Sequence, residues 1–140
     1  MRRWKKIVAA IAVVLLAGAS YGWYLYNKKP ADTRKQTPTT AIVAADLVKS
    51  FQQNETAANS RYVDKLILVS GKVSGNNIDK DGHATVFLDT GDPLAAVTCS
   101  FYNEEAETVK RIPVGSAIRV KGICTGILTD VILNRCSLVK

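Results

Sequence analysis

A mainly β fold, a five-stranded barrel with short helices on its N-terminal side and one transmembrane helix ahead of it, is what the sequence predicts. Three observations carry that prediction. Residues 7–26 form a run of twenty without a charged side chain. Five segments rich in β-branched residues follow between Lys65 and Val139, separated by clusters of turn residues. A short acidic segment falls between the third and the fourth of them. Strand, strand, strand, short helix, strand, strand is the connectivity of an OB-fold barrel, whereas a sandwich of this length usually needs about seven strands.

Ile7 to Tyr26 as a helix, at about 1.5 Å per residue, covers the roughly 30 Å hydrocarbon layer of a bilayer. Trp4 stands at one end and Trp23, Tyr24 and Tyr26 at the other, where amphipathic rings favour the headgroup level. The rival reading is a cleaved signal peptide ending at Ala17-Gly18-Ala19. Cleavage there would leave the apolar cluster Tyr21–Tyr26 at the new terminus, so a retained anchor is preferred. A lipoprotein needs a cysteine near the end of the apolar run, and Ala19 stands there.

The net charge of +7 belongs to this segment. Residues 1–40 hold eight Lys/Arg and one acid, and residues 41–140 hold eleven of each sign. The excess therefore reports membrane topology rather than a basic binding face. The denser basic cluster at the N-terminus places that end in the cytoplasm and the domain outside a bacterial-type cytoplasmic membrane, as a single-pass protein. Gly18 and Gly22 form a small-xxx-small pair through which two such helices could self-associate. Residues 28–43, with Pro30, Pro38 and a Thr-rich, charged composition, read as a linker. The division is an anchor over 1–27, a linker over 28–43 and a barrel domain with a helical extension over 44–140.

Within the domain, Leu47, Val48 and Phe51 recur at helical spacing, and Asn54 suits the cap of a second short helix ending near Tyr62. Strands are expected over 65–73, 84–89, 94–101, 116–125 and 131–139, with Gly71 marking a bend or bulge in the first. A turn occupies Asn76–Gly82, and a helical turn follows Asn103. Folding the last two strands back on each other about Asp130 sets Cys124 opposite Cys136, so a disulfide between them is expected. The alternative is three buried thiols acting as small hydrophobes.

The Phe51, Asn54, Asn59 and Tyr62 spacing, Val69-x-Gly71-x-Val73, Val97-x-Cys99-x-Phe101, and Lys121-Gly122-x-Cys124-Thr125-Gly126 followed by Asp130-Val131-x-Leu133-x-x-Cys136 resemble the tRNA_anti-like family of small OB-fold proteins. The resemblance covers residues 44–140. It implies the barrel and frequent export or membrane anchoring, and it implies no activity.

Candidate chemistry is sparse. Asn77-Ile78-Asp79-Lys80-Asp81-Gly82 matches the opening of a calcium loop, but the twelfth position, which must be a bidentate carboxylate, is Leu88. A polar turn is the plainer reading, with weak cation binding by Asp79, Asp81 and Asp89 as the residual one. No nucleophile–base set and no glycine-rich phosphate loop can be assembled, so no enzyme, cofactor or metal site is expected. Single-stranded nucleic acid is the usual partner of this fold, bound across its second and third strands. Residues 84–109, which span both, contain five acids and no Lys, Arg or His, which opposes phosphate. The expectation is a non-catalytic, membrane-anchored interaction module recognising an envelope protein, peptide or glycan. Asn77, Asp79, Asp81 and His83, with the loop near Leu128–Asp130, are the candidate ligand-binding residues. The alternative is a cytoplasm-facing domain that binds tRNA or single-stranded DNA.

Overall fold

The computed structural model describes residues 1–28 and 32–139; Lys29, Pro30 and Ala31 of the expected linker and the terminal Lys140 lie outside them. The chain forms two compact units, Met1–Ala31 and Asp32–Lys140. The first is a single helix, α1 (Arg2–Asn27), without a buried residue. It is long and apolar enough to cross a membrane, a property that an anchor and a signal sequence share.

The second unit starts with a 3-10 turn, Thr33–Lys35, and a short strand β1 (Thr40–Val43). Helices α2 (Ala44–Gln53) and α3 (Glu55–Tyr62) lead into β2 (Leu66–Ile78), β3 (Ala84–Asp89) and β4 (Val97–Phe101). A second 3-10 turn and α4 (Ala106–Lys110) precede β5 (Ala117–Ile127) and β6 (Val131–Val139). Strand β2 pairs with β3, β3 with β4, β4 in parallel with β6, β6 with β5, and β5 with β2. The five expected strands thus close a barrel. Strand β1 is an addition, lying parallel to β2.

Closure is possible because β2 is long enough to serve several neighbours. One edge pairs with β5 over Leu66–Lys72; the other takes β1 up to Ser70 and β3 from Lys72 onward. Gly71 stands where the partner changes, and a Cβ there would lie 3.1 Å from the Ala44 Cβ. Its role is this close approach of α2. The register shift falls instead between Val73 and Gly75, where the Ser74 hydroxyl donates to the Phe87 carbonyl at 3.1 Å.

Alternation along the strands sends Ala84, Val86 and Leu88 of β3, and Val97, Cys99 and Phe101 of β4, into the barrel. Leu47, Val48 and Phe51 of α2 join that core, with Ala58 and Tyr62 of α3. The Asn54 Oδ1 accepts from the Ala57 N–H at 3.1 Å, the cap its residue type suggested.

The expected disulfide is not there. Cys99, Cys124 and Cys136 are all free and buried. The hairpin turns one residue earlier than a bend about Asp130 requires, so Ile127 pairs with Val131, and a register shift puts Cys124 opposite Leu133. A second shift falls where Arg135 adopts a left-handed backbone, φ 52°. Beyond it Cys136 pairs with Phe101 of β4, and its thiol meets that of Cys99 rather than Cys124. Burial pushes the Cys136 thiol well above, and the Cys124 thiol above, the ordinary thiol range. Deprotonation, and with it exchange chemistry, is suppressed. Chain unfolded in denaturant without reductant is accordingly expected to titrate as three thiols, and folded chain as none on the same timescale.

Gly122 makes the room for this arrangement: a Cβ on it would stand 2.5 Å from the Cys136 Sγ and 3.1 Å from the Asn134 carbonyl. Gly122→Ala is expected to cost about 1–3 kcal/mol as an overpacked core substitution. In a Cys136→Ala background the loss should shrink by at least about 0.5 kcal/mol, read from urea midpoints, because the two positions are in contact.

Candidate ligand-binding surfaces

The loop after β2 is built on one carboxylate. Asp79 Oδ1 accepts from the backbone N–H groups of Asp81 and His83, both at 2.9 Å, and Oδ2 lies 3.1 Å from His83 Nδ1. Gly82, at φ +82°, completes the turn, and its N–H donates to the Asp79 carbonyl. These bonds, the His83 backbone bond foremost, hold the Asp79 carboxyl below its ordinary range. The loop brings Asp79, Asp81 and His83 together, with one ligand atom from each within 4.8 Å of the others, all three residues exposed. Asn77 stays in the β2 ladder opposite Thr85. Asp89 is at the far end of β3, where its Oδ1 accepts from the Gly91 N–H. The trio Asp79, Asp81 and Asp89 is therefore not assembled, and both Asp79 oxygens are already used by the turn.

The register separates the two loops expected to flank a ligand. Ala84 begins β3 beside the Asp79–His83 loop, whereas Leu88 pairs with Val97, and Val97 with Val131 next to Asp130. They bracket the β3–β4 face from opposite ends. At the Asp130 end, its Oδ1 accepts from the Ala96 N–H and its Oδ2 from the Thr98 hydroxyl, each at 3.0 Å. Beside it opens a cleft of about 400 Å³ whose floor includes Ser74 and Phe87. Asp89, Asp92 and Asp130 line it, with no Lys or Arg among the lining residues. Asp92 accepts from the Leu94 N–H at 2.9 Å and from Gln52 at 3.0 Å, which lowers its pKa. Leu94 and Leu128 stand 80% and 84% exposed in the loops at this end, apolar groups available to a partner.

A third surface was invisible to composition. The 3-10 turn of the expected linker is docked on the barrel. Thr33 is 1% exposed; its N–H donates to the Tyr102 hydroxyl at 3.2 Å, and its own hydroxyl donates to the Arg135 carbonyl at 2.7 Å. The Arg34 guanidinium lies over the Tyr102 ring at 4.8 Å. Lys121 Nζ donates to the carbonyls of Arg34, at 2.5 Å, and Gln36, at 3.0 Å. Asp32 caps the turn, accepting from the Arg34 N–H at 2.9 Å and from its guanidinium at 2.8 Å. Such contacts are worth about 0.5–1.5 kcal/mol for a hydrogen bond and about 0.5–1 kcal/mol for an exposed cation–π pair. The strap is thus specific in geometry and modest in strength.

The Arg34 guanidinium holds the Asp32 carboxyl down to about 2, from an ordinary 3.8. Because the value in the formed turn is the lower one, the contribution of this pair to the turn is complete above about 3.8 and is lost as pH falls through about 2. The Thr33 amide resonance is therefore expected to stay constant through neutral pH and to move toward its undocked position over that acid window.

The tRNA_anti-like family model matches residues 1–138. No curated protein matches the chain. Among solved structures it is similar to a protein described as a "putative nucleic acid-binding lipoprotein" of Klebsiella pneumoniae. The TM-score is 0.59 and the identity 20%, over 80% of this chain and 100% of that one. It is also similar, at TM-score 0.51 and 16% identity, to a "putative aspartyl-tRNA synthetase" of Leishmania major, over 80% of this chain but 23% of that one. At these identities the likeness establishes the fold, the OB barrel, and the synthetase shares only that portion of its length.

Proposed function

The chain belongs to the tRNA_anti-like family, and from that premise we propose that it is a non-catalytic binding module of the cell envelope. In this reading residues 7–26 are retained as an anchor in a bacterial-type cytoplasmic membrane and the barrel lies on its outer side. The ligand is a cationic or hydroxyl-rich partner, an envelope peptide or glycan, taken on the β3–β4 face.

One observation carries this. The cleft on the face that OB barrels use for single strands is lined by Asp89, Asp92 and Asp130 and by no base. A phosphate backbone binds through Lys and Arg with release of counterions, and a carboxylate-lined cleft reverses that electrostatic term. Half-buried Phe87, and the exposed Leu94 and Leu128, supply the apolar contact that a peptide or a sugar ring needs. The Asp79–His83 turn stands at the other end of the face, where Asp81 and His83 would meet the far end of an extended ligand.

A second reading, a single-stranded nucleic-acid binder facing the cytoplasm, is favoured by the description of the Klebsiella protein and by Phe87 as a stacking surface. The two separate in one experiment on the full chain in detergent. A labelled oligo-lysine peptide is expected to bind, with affinity reduced several-fold in Asp89→Asn, while a labelled oligothymidylate leaves the chain unbound at physiological salt. Oligothymidylate binding whose logarithm falls linearly with that of salt would reverse the assignment. A reporter enzyme active only outside the cytoplasm, fused after Lys140, tests the side of the membrane.

A further inference from the structure

The strap makes the barrel's own preference for a ligand visible. We propose that the surface formed by Tyr102, Lys121 and the Arg135 carbonyl is a recognition site for a hydroxyl–arginine segment, Thr-Arg or Ser-Arg, folded into a 3-10 turn. The chain's own Asp32–Gln36 is its resident occupant, and a segment of an envelope protein with the same chemistry enters it in trans.

The contacts divide as they do in peptide recognition. Lys121 holds the main-chain carbonyls of Arg34 and Gln36, which the 3-10 turn brings within reach of one ammonium, so a segment must take up that turn to be held in the same way. Sequence is read at two positions. The first is a buried slot in which one hydroxyl both donates to the Arg135 carbonyl and pairs with the Tyr102 hydroxyl at 3.1 Å, so a Thr or Ser fits, whereas a Val takes both side-chain bonds away and keeps only the main-chain N–H bond to Tyr102. The second is the Tyr102 ring, whose face takes a planar cation, with the charge of Glu104 acting on the same guanidinium. Tyr102 presents both readouts at once, its ring to Arg34 and its hydroxyl to Thr33.

One further feature accompanies this surface. A cleft of about 500 Å³, lined by Ser100, Asn103, Glu104 and Asn134 as well as Tyr102 and Arg135, lies beside this surface and offers room for more of a longer peptide. This site is separate from the Asp89 cleft and rests on the binding-module reading only for the source of the trans segment.

The test uses the full chain in detergent and a fluorescein-labelled, end-blocked Asp-Thr-Arg-Lys-Gln peptide, with a Val-Ala version at its second and third positions as control. A tethered occupant competes at an effective concentration of about millimolar. Wild type should therefore bind the peptide weakly, and Thr33→Val with Arg34→Ala, which empties the site, should bind it at least about tenfold more tightly. Adding Tyr102→Ala should abolish that gain, and the control peptide should show none. A vacated chain that binds no better than wild type, or a gain that survives Tyr102→Ala, overturns the proposal. A second measurement needs no variant: excess peptide should speed hydrogen exchange at the Thr33 amide while leaving β2 amides unchanged, and unaltered Thr33 exchange overturns it equally. Asp89→Asn is expected to leave both results intact, so failure here is distinct from failure of the β3–β4 reading.

Discussion

Closing a five-stranded barrel requires β6 to pair with β5 on one edge and with β4 on the other, and the bulge at Arg135 is where that double duty is met. One left-handed residue takes up the mismatch between two ladders of different direction, since β6 runs antiparallel to β5 and parallel to β4. Its consequences extend in two directions. Inward, it turns Cys136 toward β4, where the Tyr102 N–H reaches the Cys136 carbonyl at 3.3 Å and Gly122 leaves space for the thiol. Outward, it offers the Arg135 carbonyl that receives Thr33. The same distortion aims Cys136 at β4 and creates the strap's anchoring point, while the early turn and the shift at Cys124 set the two cysteines out of register.

The acidic end of the β3–β4 face follows a similar economy. Asp89, Asp92 and Asp130 each accept a backbone N–H of a nearby turn, Gly91, Leu94 and Ala96 respectively. Their first task is to shape loops that would otherwise leave donors unpaired. Asp89 nevertheless stays exposed, and all three border one cleft whose lining includes no Lys or Arg, although Lys72 pairs across the strands with Asp89 at its edge. Loop architecture and the acidic lining of the cleft are thus supplied by the same three carboxylates.

The strands were legible because their burial alternates with period two, and α2 because Leu47, Val48 and Phe51 repeat at helical spacing. The Asn54 cap was legible for the same local reason. What escaped depended on partners distant in sequence. The disulfide expectation treated the last hairpin as an isolated pair of ideal strands, and two register shifts imposed by barrel closure moved each cysteine off that register. Thr33 gave no signal, because a threonine in a charged, proline-flanked stretch looks solvated. Only Tyr102 and Arg135, far along the chain, make it a buried residue. Asp79, Asp81 and His83 were named from the turn sequence as ligand candidates, and both Asp79 oxygens serve the turn itself.

Removing the disulfide also changes what the cysteines say about compartment. Three buried thiols, two of them held protonated by burial, report packing and carry no redox address. The case for the outer face then rests on the charge asymmetry around α1 and on the electrostatics of the barrel, and these are independent. The basic residues that give the chain its net charge of +7 lie within residues 1–40, flanking the apolar helix. Of those, Arg34 is engaged by Asp32 and Tyr102 within the strap rather than offered to a polyanion. The carboxylates lining the cleft on the face where single strands would lie, and Arg34 held by Asp32 and Tyr102, are the observations that support the proposal of a neutral or cationic partner.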